Sequence, residues 1–260
     1  NMDAYDILGE REKLVKGVEI EIKDEKRVGH SIHVNVYELN KKNFEELTDV
    51  SKKEKNIETL VDYCNDNDLP FTYNHPFLFK EGEIPSYKSI LNIASMFPVV
   101  EYNMHRVNLQ NYLVLLMAKK YKLGVAAGTD SHIGEVGDAY NLAKGDNFRD
   151  FFNNVKKRNS YFVCPTLDNE RLSKEIVTWI RLIASRKVNA LKLKEFSGIS
   201  VVDKCAEFLS YSSKKFPLAG KVIEDLFSKF INSGLPSSVY LYFQNSNAKS
   251  TKKKLMELGL

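Results

Sequence analysis

The sequence predicts an α/β fold for residues 1–165 and a mainly helical, basic extension for residues 166–260. Up to Pro165, short strands with one polar face alternate with helical segments, whereas beyond it apolar residues recur at the 3.6-residue spacing of helices. This alternation of strands and helices is typical of parallel strands in a sheet or a barrel. Such folds bind ligands at the carboxyl ends of their strands, and we expect the functional side chains there.

Two early segments show the alternation that defines a strand with one polar face. Glu19 and Glu21 alternate with apolar side chains in residues 16–22, and His33 does so in residues 31–37. Further strands are predicted at 71–73, 99–102, 125–127 and 161–164, with a late candidate at 239–243. Helices are predicted at 57–65, 87–96, 109–121, 172–184, 201–211 and 218–231, and residues 249–260 as a frayed basic helix.

The composition excludes several classes of protein. Hydrophobic residues make up 43% of the 260, enough to bury a substantial core. No run approaches the roughly 18 consecutive apolar residues of a membrane-spanning helix. Residues 1–20 alternate charged with apolar side chains and lack the apolar block of a signal peptide. Cys64, Cys164 and Cys205 are odd in number and lack CxxC spacing, which argues against disulfides and thiolate zinc sites. We therefore expect a cytoplasmic protein with no membrane association.

The charge is distributed unevenly between the two regions. Residues 166–260 hold 16 Lys and Arg against 9 Asp and Glu, whereas residues 1–165 hold 22 against 25. A basic region of this kind favours an anionic partner such as nucleic acid, although a solvated lysine-rich surface is the simpler explanation of the same excess.

All five histidines lie in the first 132 residues, and two of them directly follow predicted strands. Asp130 and His132 are two residues apart in the turn after strand 125–127, where an oxygen and a nitrogen donor together suit a divalent cation. An ordinary Asp-Ser turn with a surface histidine is the alternative. His75 follows strand 71–73, and Pro76 ends that strand and fixes the backbone beside the imidazole.

Glu19 and His33 add a carboxylate and an imidazole from the polar faces of the first two strands. A carboxylate between apolar strand residues is costly unless it is paired or bound to a metal, although Glu19 could equally face water at an edge. His30 precedes its strand and is the weaker candidate. The order Glu, His, His, then Asp-x-His, each on or after a strand, predicts a metal site.

These residues resemble motifs of the PHP (polymerase and histidinol phosphatase) family of metal-dependent phosphoesterases. The family's GxE motif, single-histidine strand, HP motif and terminal GTDSH motif are similar to Gly17-Val-Glu19-Ile20, Ser31-Ile-His33-Val, Asn74-His75-Pro76 and Gly128-Thr-Asp130-Ser-His132. Val100-Glu101-Tyr102-Asn103 also resembles the strand that precedes the last motif in many members. The resemblance covers residues 1–165.

The resemblance implies a distorted TIM-like barrel of seven β/α units that holds two or three divalent ions (Mn, Zn or Fe). Its implied metal ligands are Glu19, His33, His75, Asp130 and His132, with Glu19 bridging two ions. In this family metal-activated water hydrolyses a phosphate ester without a side-chain nucleophile. The implied substrate is a small phosphorylated metabolite, a nucleotide or a nucleic-acid end. His105 and Arg106, after strand 99–102, are candidate phosphate contacts, or else simply loop residues.

The chain departs from the family pattern at its beginning. PHP domains open with an HxH motif and a DH motif, and neither occurs in this sequence. We therefore expect that the barrel lacks its first strand or strands and that the chain as given is catalytically incomplete. A non-catalytic regulatory or nucleic-acid-binding protein on a degenerate PHP scaffold is the alternative, and a metal-dependent hydrolase of another family is a third.

Overall fold

The computed structural model describes residues 14–24, 26–80, 82–131, 136–185, 204, 207–211, 215 and 217–260. Seven strands are described: β1 (Gly17–Lys23), β2 (Ser31–Tyr37), β3 (Phe71–Asn74), β4 (Val99–Asn103), β5 (Gly124–Gly128), β6 (Tyr140–Ala143) and β7 (Ser160–Val163). The six strands predicted between residues 16 and 164 are confirmed, whereas β6 was not predicted.

The first five strands form one mixed sheet in the order β1-β2-β3-β4-β5. β1 pairs with β2 and β2 with β3 in antiparallel register, whereas β3, β4 and β5 are parallel. β6 and β7 form a separate antiparallel pair. One face of the sheet carries the apolar side chains of β1 and β2, and the opposite face carries the polar ones.

The predicted TIM-like barrel of parallel strands is wrong for the part of the chain that the structure describes. The five strands there form an open sheet with β1 and β5 at its edges, and the first three are antiparallel. The connection between β1 and β2 spans only residues 24–30, which is too short for the crossover of about ten or more residues that parallel neighbours require.

The helices are α1 (Lys41–Asp49), α2 (Ile57–Asp66), α3 (Tyr87–Ala94), α4 (Asn108–Tyr121), α5 (Phe148–Lys156), α6 (Asn169–Ala184), α7 (Pro217–Asn232) and α8 (Leu235–Glu257), with a short π-helical turn at Val50–Glu54. Side-chain caps explain where several begin. Asn40 and Asn43 form a reciprocal capping box at α1, and Asp168 accepts a hydrogen bond from the Arg171 backbone at α6. Of the predicted helix 201–211, most residues before 207 lie outside the described residues.

The main core lies between the apolar face of the sheet and helices α1 to α4. Ile22, Val34, Val36 and Tyr73 are fully buried there. Leu255 near the end of α8 belongs to the same cluster, so the last helix packs on the sheet domain instead of ending as a frayed segment. A smaller cluster joins α6 and α7.

The predicted late strand at 239–243 is wrong, because these residues lie inside α8. Gly234 precedes the helix and Pro236 occupies its first turn, an arrangement that favours helix initiation. Along the described residues, no helix is both long and apolar enough to cross a membrane.

Candidate metal centre

The polar face of the sheet brings together side chains from three strands. In the β1–β2 register Glu21 lies opposite His33, and in the β2–β3 register His33 lies opposite Asn74. Glu19 points to the same face because it is two residues from Glu21. His75 follows Asn74 at the end of β3. The face therefore gathers two carboxylates and two imidazoles at the point where β3 ends.

Three of the five predicted ligands form a compact cluster. Glu19 Oε1 lies 3.3 Å from His33 Nδ1 and 3.4 Å from His75 Nε2. The two imidazole rings are 4.8 Å apart at their centroids. One ligand atom from each of the three residues lies within 4.8 Å of the other two. The structure thus assembles the Glu-His-His part of the predicted site.

The environment holds Glu19 ionised. Burial raises the pKa of the Glu19 carboxyl, but the hydrogen bonds from His33 and His75 outweigh burial and hold its pKa well below the usual range. Asn74 Nδ2 donates a third hydrogen bond of 2.9 Å to the same oxygen, and Thr72 Oγ1 donates to Asn74 Oδ1 in turn. Asn74 is therefore oriented to hold the Glu19 carboxylate in place.

His75 is the most enclosed member of the cluster, with its side chain 6% exposed. Burial lowers the pKa of His75, against the opposing effect of the Glu19 carboxylate, and so favours the neutral imidazole that metal binding requires. The backbone of His75 has φ +25°, a conformation rare for a residue with a Cβ. Such backbone outliers concentrate at functional sites, where surrounding contacts enforce them.

Glu101 on β4 accepts a hydrogen bond from the backbone of His75, and it is absent from the predicted ligand set. Its Oε2 accepts hydrogen bonds from the His75 backbone N–H (3.1 Å) and from Asn103 Nδ2 (3.0 Å). The residue is 5% exposed, and burial, with the negative charge of Asp130 as a further cause, raises the pKa of Glu101 to about 7. In the sequence, the signal that could have identified Glu101 is a charged residue within a strand whose neighbours in a parallel sheet are normally apolar.

Gly128 makes room for Glu101. A Cβ at position 128 would lie 1.8 Å from Glu101 Oε1, far inside van der Waals contact. The glycine that opens the GTDSH sequence is thus explained by packing against a buried carboxylate on the neighbouring strand.

Asp130 lies beside the cluster but is engaged elsewhere. Its Oδ2 accepts a 2.9 Å hydrogen bond from Arg106 Nη2 in a mostly buried ion pair. Asp130 has φ +48°, which aspartate tolerates better than most residues. The ligand group found among the described residues consists of Glu19, His33 and His75 without Asp130, and the other member of the predicted motif, His132, lies outside the described residues.

The two predicted phosphate contacts differ in their surroundings. His105 is 6% exposed and its Nε2 lies 3.4 Å from Glu175 Oε2, on α6. Arg106 is 13% exposed, donates from Nη1 to the His105 carbonyl and pairs with Asp130. His105 is therefore held by the helical region, and Arg106 borders the metal-ligand candidates.

The Glu-His-His group fits a divalent cation. Four-coordinate sites with metal–ligand bonds of about 2.0–2.2 Å place their ligand atoms about 3.4 Å apart, close to the two distances measured from Glu19 Oε1. One carboxylate and two imidazoles are also a donor set that Zn, Mn and Fe accept. The contacts that stabilise the group without a cation are hydrogen bonds between the same atoms, so protons and metal compete for them.

Comparison with known proteins gives no family assignment. No protein-family model matches this chain, and no curated protein matches it.

Proposed function

We propose that this chain belongs to a cytoplasmic, metal-dependent phosphoesterase of the PHP type that hydrolyses a phosphate ester. The observation that carries the proposal is the cluster of Glu19, His33 and His75, whose ligand atoms lie within 4.8 Å of one another. The sequence motifs around these residues support the same reaction class. Cys64 and Cys164 form no disulfide within the described part of the chain, which is compatible with a reducing compartment, and Cys205 lies outside that part.

Each residue of the site has a defined task under this proposal. Glu19, His33 and His75 hold a divalent cation, and Asn74 fixes the Glu19 carboxylate through its 2.9 Å hydrogen bond. When bound, the cation supplies a water of lowered pKa and neutralises charge on the phosphate oxygens. Asp130 and His132 remain proposed ligands for the full set of two or three ions.

Arg106 is the proposed phosphate contact. A guanidinium matches two phosphate oxygens in a bidentate fork, and Arg106 presents its Nη2 at the edge of the ligand cluster beside Asp130. The substrate is proposed to be a phosphorylated metabolite, a nucleotide or a nucleic-acid end.

Metal binding tests the proposal directly. Purified wild-type chain would be stripped with chelator, titrated with Mn²⁺ and Zn²⁺ by calorimetry, and compared with His75→Gln. The control is His30→Gln, which changes a second buried histidine whose Nδ1 lies 3.3 Å from the Val28 carbonyl. We expect His75→Gln to weaken binding at least tenfold and His30→Gln to leave it unchanged. Equal affinities for all three proteins would contradict the proposed ligands.

Hydrolysis of p-nitrophenyl phosphate by the metal-loaded chain tests the reaction class. Activity that requires Mn²⁺ or Zn²⁺ and disappears in His75→Gln supports a phosphoesterase. Metal binding without hydrolysis, also after the chain is extended with an upstream HxH and DH segment, would refute the catalytic assignment and leave the metal site standing.

A nucleic-acid-binding role is the second candidate, and the charge distribution favours it. The basic excess of residues 166–260 continues to the end of α8, where Lys252, Lys253 and Lys254 are exposed. Lys252 and Lys254 lie over the rings of Tyr112 and Tyr87, so part of this charge also serves packing within the chain. Binding of a fluorescent single-stranded oligonucleotide in chelator, weakening steeply with salt, would support this role. No binding at 50 mM salt would exclude it.

A further inference from the structure

A small cavity lies beside His75, between β4 and α4. Its lining includes Glu101, Arg106, Gln110 and Val114 as well as His75. The cavity has a volume of about 10 Å³. This is close to the room that a single water molecule needs.

Two polar atoms on residues that line the cavity lack a hydrogen-bond partner among the described residues. These are Arg106 Nε, a donor, and Gln110 Oε1, an acceptor, and both are fully buried. Gln110 as a whole is 6% exposed. Buried polar groups in folded proteins are almost always satisfied by protein or by an internal water, because an unsatisfied one is costly. Both atoms therefore point to a ligand in the cavity.

The other contacts of the two residues identify which of their atoms are left for a ligand. Gln110 Nε2 donates a 3.1 Å hydrogen bond to the Phe77 carbonyl, so a flipped amide would bring two oxygens together. The Gln110 oxygen is therefore the amide atom left without a partner among the described residues. Arg106 uses Nη1 for the His105 carbonyl and Nη2 for Asp130, which leaves Nε as the guanidinium nitrogen without a partner among the described residues.

We propose that this cavity is a binding site for one internal water molecule that bridges Arg106 Nε and Gln110 Oε1. The water accepts from Nε–H and donates one hydrogen to the glutamine oxygen, and its second hydrogen is available to Glu101, which also lines the cavity. The water thus accepts one hydrogen bond, from the Arg106 N–H, and donates two, to the oxygens of Gln110 and Glu101. A dry cavity would leave both atoms unsatisfied, and a cation is disfavoured beside a guanidinium.

The bridge makes Gln110 a positioning residue for Arg106. Three of the five N–H groups of the guanidinium are then engaged, by Asp130, by the His105 carbonyl and by the water, and two remain for a phosphate. This rigidity serves the phosphate contact of the proposed function, but the water site itself requires neither metal nor substrate. Its test can therefore fail or succeed independently of the metal site.

Nuclear magnetic resonance of the metal-free chain in chelator provides the test. The Nε–H signal of Arg106, assigned by its disappearance in Arg106→Lys, is expected to exchange slowly and to show a direct cross-relaxation peak to a long-lived water. A crystal structure beyond about 1.5 Å resolution should show one water within hydrogen-bond distance of both atoms. A direct hydrogen bond between Arg106 Nε and Gln110 Oε1, or a protected Nε–H with no water contact, would overturn the proposal.

Val114, which is 3% exposed in the cavity wall, offers a matched pair of variants. Val114→Ile adds a methyl group that competes with the water, and Val114→Ala enlarges the site. We expect Val114→Ile to lose the water peak and to accelerate Nε–H exchange at least tenfold, while Val114→Ala keeps both signals. If both variants fold, retention of the water peak in Val114→Ile or its loss in Val114→Ala would contradict the assignment.

Discussion

The packing of Gly128 against Glu101 predicts a strong energetic coupling between these two positions. In Gly128→Ala the new Cβ would lie 1.8 Å from Glu101 Oε1, 2.6 Å from its Cδ and 2.9 Å from its Cγ. Glu101 cannot swing away freely, because its Oε2 accepts hydrogen bonds from the His75 backbone and from Asn103. Overpacking of this kind typically costs about 1–3 kcal/mol, and breaking the buried hydrogen bonds adds a similar amount.

The same substitution should become harmless once the carboxylate is removed. Gly128 has no positive φ that would exclude alanine. In a Glu101→Ala background the three atoms nearest to the new Cβ are absent, so Gly128→Ala should be neutral, or stabilise by up to about 1 kcal/mol through reduced entropy of the unfolded chain. The expected coupling energy in the double-mutant cycle is therefore at least about 2 kcal/mol.

Urea unfolding of the four proteins measures this cycle. The assay follows circular dichroism at 222 nm in chelator at pH 7.5, so that metal binding does not contribute to the free energy of unfolding. If Gly128→Ala costs the same in both backgrounds to within about 0.5 kcal/mol, Glu101 does not occupy the position that the structure assigns to it.

Three further predictions concern the core and its titratable groups. Leu255→Ala should lower the free energy of unfolding by about 2–5 kcal/mol because the side chain is fully buried in the main core. The exposed neighbour change Met256→Ala should cost under about 1 kcal/mol, and equal costs would contradict the packing of α8. Cys64 is buried, and burial raises the pKa of its thiol to about 12. Iodoacetamide at pH 8 should therefore leave it unmodified until urea unfolds the chain, as peptide mass spectrometry would show. The pKa of Glu101 rises from 4.5 to about 7 on folding, so the folded metal-free chain binds this proton more tightly than the unfolded one. Between pH 4.5 and about pH 7 the titration of Glu101 therefore lowers the free energy of unfolding as pH rises, by about 3 kcal/mol in total. Glu101→Gln should remove this contribution to the pH dependence of stability.

Local patterns in the sequence were sufficient to locate most elements up to β7 and part of the candidate site. The alternation of apolar and polar residues along β1 and β2 predicts the strands. It also places Glu19 and His33 on the polar face, because the side-chain period of a strand is two. His75 is predicted by its place at a strand end before proline. The parallel arrangement predicted for the early strands was wrong for β1 and β2, although residues 24–30 are too few for a crossover and were a signal of antiparallel pairing.

Tertiary structure decided what depends on residues far apart in the chain. β2 and β3 are antiparallel although two helices separate them, so connection length alone does not determine strand direction. Residues 239–243 are rich in strand-forming side chains, yet they lie in α8, whose later turns pack through Leu255 into the main core. Burial against distant neighbours outweighed local propensity there.

The candidate site shows the same division. Sequence pattern indicated Glu19, His33 and His75, but their distances of 3.3 and 3.4 Å arise only when three strands are in register. The buried support that Glu101 gives His75, the pairing of Asp130 with Arg106 and the cavity beside Gln110 all join residues from separate elements. Chain order reveals which chemical groups are present, whereas their burial and pairing follow from contacts that form only in the folded chain.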